Sequence, residues 1–334
     1  MEKRLLIADA ETFIARALQA SSVSAANAQS VARALVAAEV DGQGGHGFAR
    51  VASYSAQAAS GKVDGNAIPV AEVVTDAFIR IDAGHGFSFP AIDLAVEELV
   101  TRVKTTGIAG AAITRSHHCG QLGAHVERLA ERGLVALMLA NTPKAMAPWG
   151  GNKPLFGTNP IAFAAPRQDA APLVIDLSLS KIARGKVMAA AKRGDPIPEG
   201  WALDSDGNPT TDAKAALGGM MLPMGDAKGS ALALIIEVMA ATLTGANYSY
   251  QATSFFDAEG APPGVGQFIL ALDPGATAGA LFASRLEELL GEIEAQAGAR
   301  LPGTRRLAAR DDAQNQGLLI PEHLFEEIER IISA

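Results

Sequence analysis

A single cysteine among 334 residues has no partner for an internal disulfide. The fold must therefore hold by packing alone, in a compartment where thiols stay reduced. The opening MEKRLLIADAETF carries charges early and lacks an apolar stretch before a cleavage site, so no secretory leader is read there. A cytoplasmic location is expected. No apolar run reaches the ~18 residues of a membrane span. The longest, 231–243, is broken by Glu237 and reads as a core helix. Aromatics amount to only 5%, which argues against base-stacking surfaces. With 28 Lys+Arg against 36 Asp+Glu, the net charge of −8 withholds the basic face that a nucleic acid needs. Two phosphate-binding motifs are missing as well. No G-x-G-x-x-G opens a helix after a strand and no G-x-x-x-x-G-K-[ST] occurs, so neither a Rossmann nor a P-loop reading has support.

What is present is a hydrophobic fraction of 49% in a chain long enough for about two domains, ample for a large core. Ser24 precedes a 3.6-period stripe of Ala28, Val31, Ala32, Leu35, Val36 and Val40, an N-capped helix stopping at Asp41-Gly42. After the glycine-rich turn 42–47, residues 48–60 again read as helix. Strands are expected at 71–74 and 78–82, then a helix from Ser88 to Gly107 with Pro90 in its first turn. From Ile108 onward, short apolar strands (IAGAAIT, LVALMLA, IAFAA, LVID, FILALD) alternate with helices such as 124–132. That alternation indicates an α/β layer with its sheet covered on both faces. Residues 196–223 read as one long surface excursion, and two amphipathic helices, 278–295 and 321–332, complete the tail.

Several constellations could carry chemistry. His117, His118 and His125 cluster beside Cys119. Adjacent residues of a strand point to opposite faces and no CxxC or HxxxH partner lies near, so no metal site is expected. His118 ends an apolar strand, and the carboxyl edge of an α/β sheet is where ligands bind. In DGQGGHGFAR, Arg50 lies four residues beyond His46, and Tyr54 eight. A helix beginning near His46 would set an acid/base, a planar carboxylate clamp and a hydroxyl donor on one face. The alternative is a solvated helix start. Asp176, closing LVID, either caps a turn or orients a histidine. Ser178, Ser180, Lys181, Arg184 and Lys186 follow it and suit a phosphate, or else form an ordinary N-capped helix. The turns at Asn141-Thr142-Pro143 and Gly157-Thr158-Asn159-Pro160 can present N–H groups to a ligand or serve only as turns. Lys228 is a lone cation at a helix start, and Glu237 needs a buried partner.

The segments GHGFAR, SHHCG, NTPKAMAPWGG, PLFGTNPIAFA, DLSLSKIARGKV, PEGWALDSDGNPTTD and GDAKGSALAL occur in one order over residues 24–273. In this the chain resembles the malate/L-lactate dehydrogenase family of NAD(P)-dependent oxidoreductases. PLFGTNPIAFAAP, PTTDAKAAL, LPMGDAKGSALAL and FFD…PPGVGQ are most similar to its branch of Δ1-piperideine-2-carboxylate/Δ1-pyrroline-2-carboxylate reductases. The resemblance implies an α/β fold of the sulfolactate/malate dehydrogenase kind, a mixed sheet covered by helices and not a Rossmann fold. It further implies a helical substrate and dimerisation portion (1–75 plus 296–334), an α/β cofactor-binding domain (76–295) and a homodimer.

It implies NADPH as cofactor, with NADH as the alternative, and a small substrate bearing a carboxylate. Lys181, Arg184 and Lys186 are the expected 2′-phosphate partners. His46 is similar to the family's acid/base and Asp176 to the carboxylate that partners it and raises its pKa. Arg50, with Tyr54, is matched to the substrate, and His118, Asn141, Thr158, Asn159, Ser178, Ser180, Lys181, Arg184 and Lys228 to the cofactor. The chain departs from the family in having Gly45 where most members have Ser, and Asp226-Ala227 ahead of Lys228. The activity implied is NADPH-dependent reduction of a cyclic imino acid, with a 2-hydroxy acid dehydrogenase of malate, lactate or ureidoglycolate type as the alternative. A catalytically silent binding protein would require loss of His46 or Asp176, and both are present.

Overall fold

A computed structural model describes residues 3–334. Its centre is a seven-stranded sheet in the order 70–73, 78–82, 108–116, 265–272, 135–140, 161–165, 173–177. Neighbours run antiparallel except Phe78–Asp82 beside Ile108–Ser116, so the sheet is mixed. The helix Ser88–Thr106 supplies the crossover that a parallel pair needs, and Gly107 ends it in the left-handed region. Small residues let the strands pack closely. A Cβ at Gly110 would fall 2.3 Å from the Phe78 ring.

Both faces of the sheet are covered. Ile79, Ile81, Ile113, Met138 and Ile269 pack against Ile92, Leu99 and Leu129 of the helices Ser88–Thr106 and Leu122–Ala130. On the other face, Leu139 and Phe268 meet Met146, Val187 and Ile236. A separate core joins the two ends of the chain. Ile14 and Leu18 of Ile7–Ala20 and Val31 and Leu35 of Ala25–Val40 pack with Ala313, Leu318, Ile320 and Ile328. That core also takes in Phe87 and Phe89. The Ser24 side chain caps Ala25–Val40 as the pattern suggested, accepting from the Asn27 N–H at 3.3 Å.

Four expectations need correction. The segment from Phe48 is not helical throughout. Two single 3₁₀ turns, Gly44–His46 and Phe48–Arg50, precede the helix Val51–Ala59. The break falls at Gly47, where a Cβ would lie 2.3 Å from the Glu39 carboxylate. Residues 196–223 are not one excursion but a small antiparallel sheet of 202–203, 209–210 and 220–221 with a helix, Ala213–Gly218, capped by Asp212. The 231–243 run is only partly core. The helix Ala227–Glu237 enters a π-turn, Val238–Thr242, and leaves Leu234, Ile235, Val238 and Leu243 facing solvent. Finally, a helix not anticipated, Thr304–Gln316, precedes a short strand, Leu318–Ile320, that pairs with Lys3–Leu5. Among the described residues no helix is long and apolar enough to cross a membrane, and no group of three His, Cys, Asp or Glu could hold a metal ion.

Candidate active site

A cavity of about 410 Å³ opens at the carboxyl ends of the strands 108–116, 135–140 and 173–177. His46 and Arg50 form one wall, and His118 to Leu122 a second. Thr142, Lys144, Thr158 and Ser178 come from segments that follow or precede strands, Asp176 from the strand 173–177, Arg184 from the start of the helix Arg184–Arg193, and Phe255 and Phe256 close the rim. Ligand sites favour this edge because loops there present polar groups from a rigid sheet.

The imidazoles of His46 and His118 stack, with centroids 5.2 Å apart and planes at 16°. The Tyr54 hydroxyl lies 2.5 Å from His118 Nδ1. Tyr54 is fully buried behind His118 and does not line the cavity, so its phenol orients that ring. His46 Nδ1 is buried with no hydrogen-bond partner among the described residues. Burial, then the Arg50 charge, push the His46 pKa down to about 4. Burial also holds His118 well below the usual histidine range, with Arg50, His46 and His117 adding to it. Both rings are therefore neutral at neutral pH, able to accept a proton. The Arg50 Nε donates to the Gly45 carbonyl at 2.8 Å, and its Cζ lies 4.5 Å from the centre of the Phe256 ring. That arrangement leaves the terminal nitrogens for a planar anion.

Asp176 does not meet His46. Its Oδ2 accepts the Gly123 N–H at 2.8 Å, in the first turn of Leu122–Ala130, where a carboxylate suits the positive helix end. Burial raises its pKa while the Gly123 and Leu122 N–H groups lower it. The expected Asp176–His46 pair is thus replaced by a helix cap, and His46 shifts in the direction opposite to that expected.

The other expected cofactor residues divide into three groups. Thr158, Ser178 and Arg184 reach the cavity. The Thr158 N–H is held by Thr142 Oγ1 at 2.9 Å, the Ser178 hydroxyl lies 2.8 Å from that of Ser180, and Arg184 donates to the Leu217 carbonyl at 2.9 Å. Ser180 is buried and donates to the Ile182 carbonyl. Asn141 and Asn159 stand behind the wall. Asn141 bridges the Asn247 carbonyl and the Gly266 N–H, at 2.8 and 2.9 Å. Asn159 donates to Glu237 at 2.8 Å, and Ser249 supplies Glu237 with two further donors, the partners its burial demanded. Lys181, Lys186 and Lys228 are exposed and none lines the cavity.

Sequence reasoning passed over Gln121, Lys144 and the two phenylalanines. It also missed a second cavity of about 590 Å³ that shares Gln43, Gln121 and Asp176 with the first. Arg300, Arg305 and Arg306 line it, and Arg306 Nε is buried without a partner. The signal was available as RLPGTRR, three arginines around a Pro-Gly turn at a helix start.

Residues 6–329 match the family described as malate/L-lactate dehydrogenase. The chain is 50% identical to a (2R)-3-sulfolactate dehydrogenase (NADP(+)) of Chromohalobacter salexigens, with 98% of each covered. It is 40% identical to a Δ1-pyrroline-2-carboxylate/Δ1-piperideine-2-carboxylate reductase of Pseudomonas putida, covering 98% of this chain and 97% of that one. Among solved structures, the Δ1-piperideine-2-carboxylate reductase of Pseudomonas syringae pv. tomato superposes with a TM-score of 0.94 at 39% identity, covering 98% of this chain and 99% of that one. The sulfolactate dehydrogenase of Methanocaldococcus jannaschii gives a TM-score of 0.91 at 28% identity, over 99% and 97%. The chain belongs to the malate/L-lactate dehydrogenase family, a family of oxidoreductases, and has its fold.

Proposed function

We propose that this member of the malate/L-lactate dehydrogenase family moves a hydride between NADP(H) and C2 of a small acid whose carboxylate Arg50 holds. His46 exchanges the accompanying proton. The observation that carries this reading is the sharing of one cavity wall by a neutral, unpartnered imidazole and a guanidinium seated on an aromatic ring.

NADP(H), when bound, supplies or takes up the hydride. The residues fit such a ligand, because the two cavities adjoin through Gln43, Gln121 and Asp176 and together suit an elongated dinucleotide. Thr158, Ser178 and Arg184 offer donors at one end, and Arg300, Arg305 and Arg306 offer cations to a phosphate at the other. On this reading the 2′-phosphate partners are the arginines of 300–306 in place of Lys181 and Lys186. The NADP(+) named for the relative from C. salexigens supports the phosphate-bearing cofactor.

Within this chemistry two substrate classes have support. A 2-hydroxy acid with a second anionic group, as in 3-sulfolactate, is favoured by the relative at 50% identity and by Lys144, a further cation on the cavity wall. A histidine already neutral at pH 7 is also ready to take the hydroxyl proton as the hydride leaves. A cyclic imino acid is favoured by the reductases among the relatives and by Phe255 and Phe256, which offer an apolar wall to a ring. In that case hydride adds to the carbon of the C=N bond and the nitrogen takes the proton.

The relative at 50% identity and Lys144 favour the hydroxy acid. One panel decides: NADP+ with (2R)-3-sulfolactate, malate and lactate, and NADPH with the two cyclic imines, pyruvate and oxaloacetate. A kcat/KM highest for a cyclic imine would overturn the preference, and no turnover with any acid would overturn the reading.

We further propose a homodimer. Leu234, Ile235, Val238 and Leu243 form an exposed apolar face on one helix and its π-turn, larger than isolated surface hydrophobes explain. Sedimentation as a monomer at micromolar concentration would refute this.

A further inference from the structure

The loop 252–261 has no regular secondary structure, yet it carries Phe255 and Phe256 onto the cavity rim. Its backbone is gripped from beneath by residues at and just beyond the end of the helix Val51–Ala59. Gln57 Nε2 donates to the Phe255 carbonyl at 2.9 Å, and the Ser60 hydroxyl to the Ala258 carbonyl at 3.0 Å. Lys62 Nζ donates to the Ser254 and Asp257 carbonyls and to Asp257 Oδ1, at 2.8, 3.1 and 3.0 Å. All three ammonium protons therefore have acceptors, on a side chain that is 1% exposed.

Burying a cation is costly unless it is fully hydrogen-bonded, so this lysine is committed to one geometry of the loop. Gln57, itself fully buried, ties the grip to His117 through its Oε1, 2.9 Å from His117 Nε2. On its other side the loop meets Arg50 and the adjoining histidines. Phe256 underlies Arg50, and the Phe255 ring lies 5.1 Å from His118 and 5.2 Å from His117. The same helix thus has the clamp arginine immediately before its first residue and the grip at its other end. Gln57, Ser60 and Lys62 do not line the cavity.

We infer that Lys62, seconded by Gln57, is a positioning residue for substrate recognition: it fixes the 254–258 backbone so that Phe256 seats the Arg50 guanidinium. This rests on the reading that Arg50 holds the substrate carboxylate. A freed loop would take the aromatic seat from under Arg50, and the clamp would lose its aim before the hydride-transfer geometry was touched. The cost therefore falls on substrate KM.

The test compares Lys62→Met, Phe256→Leu, the double variant and Lys62→Arg, reading substrate KM and kcat together with NADPH affinity by fluorescence titration. Each of the first two should raise KM roughly five- to thirtyfold, the worth of a desolvated cation–π seat. Turnover should stay within about threefold and NADPH affinity should not move. The double variant should be no worse than the worse single one, because both changes remove the same seat. Lys62→Arg should restore most of the KM. Additive effects, or equal losses in kcat and cofactor affinity, would reduce Lys62 to a structural residue and overturn the inference. Should Lys62→Met fail to fold, Ser60→Ala paired with Phe256→Leu replaces it, with a smaller KM rise and the same non-additivity expected. Arg50→Lys separates the two levels: an unchanged KM there would refute the reading of the site itself.

Discussion

Acid should destabilise this protein well before its carboxylates are protonated. His117 and His125 are both buried, and burial is the main cause that holds their pKa values down to about 3 and about 4. Lys62 and Arg50 push His117 further down, while the Cys119 carbonyl, 2.9 Å from His125 Nε2, acts the other way. An unfolded histidine takes up its proton near pH 6.5. Between that value and the folded pKa the unfolded chain binds more protons, so stability is full above about pH 6.5 and falls as the pH drops.

By pH 5 each of the two histidines costs about 2 kcal/mol relative to pH 8, or about 4 kcal/mol together. His118 shifts in the same sense. Glu39 and Asp176, whose carboxyls burial raises, work in the opposite sense and offset part of the loss. Asp82, Glu97, Asp257 and Glu287 are lowered, and their contributions disappear only nearer pH 4. The assay is urea unfolding at pH 8 and pH 5 at constant ionic strength, for wild type and His125→Gln. The variant starts less stable, yet its loss between the two pH values should be smaller by about 2 kcal/mol. Equal losses in the two proteins would show that His125 is not held neutral by burial, and the reasoning would fail.

Three further outcomes are expected. His46→Ala should lower kcat by ~10²–10⁴ with NADPH affinity intact; turnover near wild type would transfer the proton to His118, whose ring stacks on it. Arg305→Ala, on the wall of the second cavity, should weaken NADPH by about tenfold and leave NADH unchanged, the worth of one charge-assisted bond to a phosphate. A parallel loss for both cofactors would detach that cavity from the 2′-phosphate. Asp176→Asn should cost at most about 1 kcal/mol of stability, because the amide oxygen can still accept the Gly123 N–H and only the charge at the helix end is lost, and should leave the His46 limb of the kcat/KM profile in place. Displacement of that limb would restore Asp176 as the partner of His46.

The parts of the fold legible in the sequence are those that periodicity governs. Strands such as Ile161–Ala165 and Leu173–Leu177 read correctly because a sheet covered on both faces demands unbroken apolar runs. The helix Thr304–Gln316 escaped because TRRLAARDDAQNQ has only a single buried residue, Ala313. Its place is set by charges: Arg310 bonds Asp41 and Glu127, and Arg306 bonds Glu127 at 3.0 Å. Such pairs join positions more than 170 residues apart, and no local pattern encodes them. The His46–Arg50 pairing was legible, although for a helix that is not there. Gly47 breaks it into 3₁₀ turns, and the two side chains still face one cavity.

The charged cluster also explains why the two cavities lie side by side. Asp41 ends the helix Ala25–Val40, Glu127 lies in Leu122–Ala130, and both side chains are almost wholly shielded from solvent. Two buried carboxylates are costly unless cations meet them, so Arg306 and Arg310 must dock, and the helix Thr304–Gln316 docks with them. Gln121 donates to Asp41 at 2.8 Å and also lines both cavities. The docking that neutralises the carboxylates thus sets RLPGTRR against the edge strand of the sheet, where it shares a cavity with Val174, Asp176 and Leu177. Arg306 spends Nη1 on Glu127 and keeps Nε unpartnered. One arginine therefore ties the helix Thr304–Gln316 to the helix Leu122–Ala130 that covers the sheet, and the same side chain lines the cationic cavity.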